Sequence, residues 1–152
     1  MKTRQIVMLF TGILTLGIFN LSHVHADVVV LNTDQTDYTF QGTNTYYLTG
    51  SVYIAGTATF EGGTVIKFGH DIWWPAGIVA SSVECQTSLT NPAIFTVCDD
   101  DRFGETLPDS TGTLSGAYAT TGLEIDCTQN QSIHDLQFYN AGSTVLRLMD
   151  WA

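Results

Sequence analysis

Three consecutive carboxylates, Asp99-Asp100-Asp101, followed by Glu105, are the densest chemical feature of this sequence. Adjacent negative charges repel one another, and a hard divalent cation relieves that repulsion, so these four residues form a candidate Ca²⁺ site. The spacing lacks the central glycine and terminal bidentate glutamate of an EF-hand loop; the alternative is a solvated turn screened by Arg102. A carboxylate pair for glycoside hydrolysis would have to come from Asp99, Asp101, Glu124 and Asp126. Glu124 and Asp126 share the outward face of one expected strand, where acids usually serve solubility. His70-Asp71 and His134-Asp135 are neighbours that a strand points to opposite faces, and Ser132 lies in no nucleophile turn. No catalytic residue is assigned.

Trp73-Trp74, with Tyr46, Tyr47 and Tyr53 nearby in sequence, offers rings on which the apolar face of a sugar can stack. The two tryptophans are therefore the expected ligand-binding residues and polysaccharide the expected ligand class. Packing against the side of the fold is the alternative, and strand alternation allows one of the two rings, not both, to face solvent. The spacing of Cys85, Cys98 and Cys127 matches neither a zinc ribbon nor a redox CxxC. In an oxidising compartment Cys85 and Cys98 are the expected disulfide, because they close a short local loop.

Positioning these groups falls to a chain with a regular beat. In Thr45–Phe68, TYYLTG SVYIAG TATFEGG TVIKF, short β-branched and aromatic pieces are ended by Gly50, Gly56 and Gly62-Gly63. Three such pieces predict a triangular rung of roughly 20 residues, with rungs stacking at about 4.8 Å. Further strands are expected at Asp27–Leu31, Tyr38–Phe40, Pro92–Val97, Gly122–Cys127, Ile133–Tyr139 and Thr144–Met149, and a long Gly/Ser/Thr loop at Phe103–Tyr118. No stretch carries helical apolar spacing for more than a turn. The fold class expected is all-β.

Residues 1–26 read as a secretory signal: Lys2 and Arg4, an apolar run Ile6–Phe19, then Val24-His25-Ala26. The run is short of the ~20 residues that span a bilayer. Removing it leaves a domain of residues 27–152 with Lys67, Arg102 and Arg147 against all 15 acids. Nucleic acid is excluded as a partner, since phosphate binding needs clustered bases. A secreted or cell-surface setting is expected, with no membrane span after cleavage and no cofactor required beyond the candidate Ca²⁺.

TGSVYIAGTATFEGGTVIKF, NPAIFTVCDDDRFGETLPDSTG and SIHDLQFYNAGSTVLRL resemble the right-handed parallel β-helix proteins of the pectin-lyase-like superfamily, and more narrowly large secreted bacterial β-helix proteins. The resemblance covers most of residues 45–149. It implies a solenoid of three parallel sheets with functional residues on loops over one sheet, in a superfamily of lyases, hydrolases, adhesins and proteins without known activity. Pectate-lyase-type enzymes place acidic calcium ligands and a basic residue over one groove, whereas this chain has three bases and one acidic triplet. The expected function is a secreted, non-catalytic structural or carbohydrate-binding module. A polysaccharide lyase or glycoside hydrolase with a calcium-assisted acidic site is the alternative. No capping sequence follows Thr144–Met149, so the β-helix is expected to be incomplete at its C-terminal end; the alternative is self-association through the open rung, by stacking on another copy or with Trp151 and a dimer partner covering it.

Overall fold

The computed structural model describes residues 26–70, 77–114, 119–127, 130–140 and 144–149. All but the last residue of the expected signal, and both Trp73 and Trp74, lie outside the described residues. Among the described residues there are ten strands: β1 (Val28–Leu31), β2 (Tyr38–Phe40), β3 (Thr45–Leu48), β4 (Val52–Glu61), β5 (Val65–Phe68), β6 (Ile78–Gln86), β7 (Ala93–Val97), β8 (Thr121–Asp126), β9 (Leu136–Phe138) and β10 (Thr144–Met149). Among the described residues there is no helix, and so none long and apolar enough to cross a membrane. The all-β expectation holds.

All strand pairings are parallel, and the odd- and even-numbered strands separate into two five-stranded sheets, ordered β1-β3-β5-β7-β9 and β10-β8-β6-β4-β2. The chain thus alternates between sheets with each successive strand. Each return lays the next strand beside the previous one of that sheet.

Two sheets stand where three were expected, and the reason lies at Gly56. SVYIAG and TATFEGG, read as two strands parted by a turn, run on as the single strand β4. Its register with β6 slips between Ile54 and Thr57, so that Ala55 and Gly56 stand opposite Ser81 alone. A bulge of this kind bends a strand without ending it. The bend is held by the preceding loop: Gly56 N–H donates to Thr36 O, and Thr57 N–H donates to Asp37 Oδ1 at 2.8 Å. A Cβ at Gly56 would collide with both Thr36 and Asp37.

Alternation within the first sheet sorts its residues into columns that run from strand to strand. Val29, Tyr46, Ile66, Phe95 and Phe138 are in register and point into the core, while Val30, Tyr47, Lys67 and Thr96 form an outward column. From the second sheet, Phe40 stacks on Phe60 with ring centroids 4.9 Å apart, and Phe60 meets Phe95 edge-on at 5.2 Å. Phe95 in turn stacks on Phe138 at 4.6 Å. Rings repeated at the strand spacing tie rung to rung through the interior.

Candidate functional site

The segment after β7 returns over the outward face of the first sheet. Glycine permits its closest approach: Gly104 has φ +59°, and a Cβ there would collide with Thr45 Oγ1 and lie 3.0 Å from Val65 Cγ1. Beside it Glu105 N–H donates to Thr45 Oγ1 at 2.9 Å, and Lys67 Nζ donates to the Glu105 carbonyl at 2.7 Å. Leu107 joins Val97 and Cys98 in a second small apolar cluster against Tyr47, whose hydroxyl donates to Asp109. Lys67 is thereby fully buried. Burial pushes its pKa down, partly opposed by Asp101 and Asp100.

The acidic triplet is divided among three sets of partners. Asp99 is buried, and its Oδ1 accepts from Thr111 N–H at 2.7 Å and from Thr111 Oγ1 at 2.9 Å. Asp100, also buried, accepts from Thr96 Oγ1 at 2.7 Å and from Arg102 Nε and Nη2 at 2.8 and 2.9 Å. The Arg102 hydrogen bonds hold the Asp100 carboxyl down at about 2. Arg102 also lies over the rings of Phe103 and Tyr139, 5.3 and 5.9 Å from their centroids. Asp101 is exposed and accepts from Ser110 Oγ at 2.9 Å. Asp99, Asp100, Asp101 and Glu105 are thus close in sequence, yet each of the three aspartates holds a different part of the segment.

A different group does converge. His70 follows β5 by two residues, and Cys98 and Asp99 follow β7 directly. The register sets Phe68 beside Val97, and Cys98 N–H donates to Phe68 O at 2.8 Å, so the two strand ends lie side by side. His70 Nε2 lies 3.1 Å from Asp99 Oδ2, and these atoms and Cys98 Sγ all lie within 4.8 Å of one another. Among the described residues this is the group of His, Cys, Asp and Glu side chains able to hold a metal ion together. Burial, with the charges of Asp99 and Asp109, pushes the Cys98 thiol up to about 11. The sequence carries the signal: aligning VIKF with IFTV, each followed by its own polar pair, brings Gly69-His70 alongside Cys98-Asp99.

Beside this group a cleft of about 500 Å³ opens between the returning segment and the first strands, walled by Val28, Val30, Tyr47 and Pro108, with Glu105 and Asp109 also lining it. Its lining has the character of a ligand groove, and Tyr47 is the aromatic residue in it. Tyr53, grouped with Tyr47 by sequence, is exposed on β4 in the other sheet.

Other expectations resolve differently. Cys85, Cys98 and Cys127 are all free thiols, with Cys98 in the second cluster and Cys85 against the main core, so the Cys85–Cys98 bridge is not formed. Glu124, expected to face solvent, is buried at 5% exposure and accepts from Arg147 across the β8–β10 pair at 3.3 Å. It lies in the sheet opposite to the one that carries the acidic triplet. His134 and Asp135 do touch, Nδ1 to Oδ2 at 3.0 Å, because Asp135 has φ +52° and breaks the alternation that would separate them. No protein-family model matches the chain, and no curated protein or solved structure matches it.

Proposed function

We propose that the chain is a secreted, non-catalytic module of the parallel β-helix type that binds neutral carbohydrate in the cleft beside Tyr47. The bend in β4 supports the three-faced coil implied by the resemblance to the pectin-lyase-like superfamily, the two halves of β4 serving as adjoining faces. The cleft carries the functional reading: aliphatic walls and one aromatic side chain suit the apolar face of a sugar ring, and the carboxylates of Glu105 and Asp109 suit its hydroxyl groups. Those same carboxylates disfavour a uronic-acid polymer.

The pairing of the chain's cations argues against a lyase base drawn from Lys or Arg. Lys67 is bonded to Glu105 O, Arg102 to Asp100 and Arg147 to Glu124, and these are all the lysines and arginines after residue 26. A lyase needs a base free to take a proton from substrate, and each of these cations is held in a pairing of the fold.

The test is nuclear magnetic resonance of the labelled chain titrated with neutral and uronic oligosaccharides. Saturable shifts at Val28, Val30 and Tyr47 with a neutral oligosaccharide, lost in Tyr47→Ala, support the proposal. Absence of shifts at those residues overturns it, and an unsaturated product from polygalacturonate with Ca²⁺ would establish the lyase instead.

A further inference from the structure

His70, Cys98 and Asp99 offer one imidazole nitrogen, one thiol sulfur and one carboxylate oxygen from two adjacent rungs. Oxygen-seeking ions such as Ca²⁺ gain nothing from the sulfur or the imidazole, whereas a borderline ion such as Zn²⁺ accepts all three donors. Zinc bonds of about 2.0–2.3 Å put tetrahedral ligand atoms about 3.3–3.7 Å apart. The three donor atoms lie within 4.8 Å of one another, with His70 Nε2 already 3.1 Å from Asp99 Oδ2, so small side-chain rotations bring them to that range. Asp99 is already oriented: Thr111 holds Oδ1 through two donors, and Oδ2 is the atom turned toward His70. Carboxylates that bind metals are fixed in this way by outer partners.

We propose that His70, Cys98 and Asp99 bind a zinc-class divalent ion, with solvent as the fourth ligand, and that the ion staples the end of β5 to the end of β7. The proposal does not rest on the sugar-binding reading, although Tyr47, which lines that cleft, packs against the cluster that contains Cys98. On binding, the Cys98 thiol releases its proton to solvent, a sulfur–metal bond forms, and no oxidant or reductant takes part. The staple would also fix the start of the segment that covers the first sheet, since Asp99 and Thr111 bracket it.

The reduced, metal-free full chain titrated with Co²⁺ tests the site. The result expected is one ion per chain, a sulfur-to-cobalt charge-transfer band with tetrahedral visible bands, release of one proton per ion, and displacement by one equivalent of Zn²⁺. Cys98→Ser removes the charge-transfer band. His70→Ala, a change at a half-exposed side chain that leaves folding intact by circular dichroism, weakens binding by about a hundredfold or more. A spectrum without the sulfur band, or a His70→Ala chain that binds Co²⁺ as the unaltered chain does, overturns the proposal. Because the His70 variant reports alone, the conclusion stands or falls even if Cys98→Ser does not fold.

Discussion

Asp100 receives the Arg102 guanidinium through both carboxylate oxygens, Oδ1 at 2.8 Å and Oδ2 at 2.9 Å, two residues away along the chain. This pairing ties Asp100 into the turn that opens the covering segment. Thr96 Oγ1 donates to the same carboxylate from the outward face of β7, so the turn is anchored to the sheet beneath it.

Asp100→Asn keeps the shape and removes the charge, and it is expected to cost about 1–3 kcal/mol at neutral pH, because the arginine and the buried Thr96 hydroxyl lose a charged acceptor. Asp100 is held at about 2 in the fold against an ordinary 3.8, so its contribution is complete above pH 3.8 and fades as pH falls toward 2. Urea midpoints of the two proteins should therefore converge across that interval. A constant gap down to pH 2 would show that the pairing does not set the Asp100 pKa.

Lys67 makes a contrasting case, a cation whose charge is disfavoured by burial. Lys67→Met should stay within about 1 kcal/mol of the unaltered chain at neutral pH, since an apolar side chain of similar volume removes the desolvation cost together with the bond to Glu105 O. Lys67→Ala leaves a cavity and should cost about 2–3 kcal/mol. The folded pKa lies below 10.5, so the unfolded chain binds more protons as pH approaches that value, and the unaltered protein should gain on Lys67→Met as pH rises toward it. A gap that does not change with pH would mean that Lys67 titrates normally.

Strand positions were legible in the sequence because period-two alternation and glycine spacing are local properties: DVVVL, PAIFTV and TVLRLM appear as β1, β7 and β10. The number of sheets was not legible. Gly56 ends a strand or bends one depending on whether Thr36 and Asp37 lie beneath it, and that contact is made by a loop two strands away. The candidate site was half legible for a similar reason. Asp99 stood out as part of a charge run, but its neighbours in the run turn to other partners, and the residue it meets, His70, comes from the preceding rung. Glu124 shows the limit of reading a face as solvated from its charge, since Arg147 sits in register across from it.

Gly104→Ala tests whether the covering segment depends on its closest contact. At φ +59° an alanine is strained, and its Cβ would meet Thr45 and Val65. The expected cost is about 1–3 kcal/mol, with the change local to the segment. Hydrogen exchange should quicken at Glu105 N–H, which donates to Thr45, while Ile66 and Phe95 on the core side stay protected. Unchanged protection at Glu105 would show that the segment tolerates a side chain at this point.

Phe95 joins the two sheets at one position: it stacks on Phe138 at 4.6 Å, meets Phe60 edge-on at 5.2 Å and lies 6.4 Å from Phe68. It is fully buried, so Phe95→Ala removes apolar burial and several ring contacts at once. A loss of about 3–5 kcal/mol is expected, against less than about 1.5 kcal/mol for Phe95→Leu, which keeps most of the volume. Because the ring touches three rungs, loss of the side chain should also lower the denaturant dependence of unfolding as β9 loosens ahead of the rest. A single transition with unchanged slope and a loss below about 1 kcal/mol would mean that backbone ladders, rather than the aromatic column, hold the rungs together.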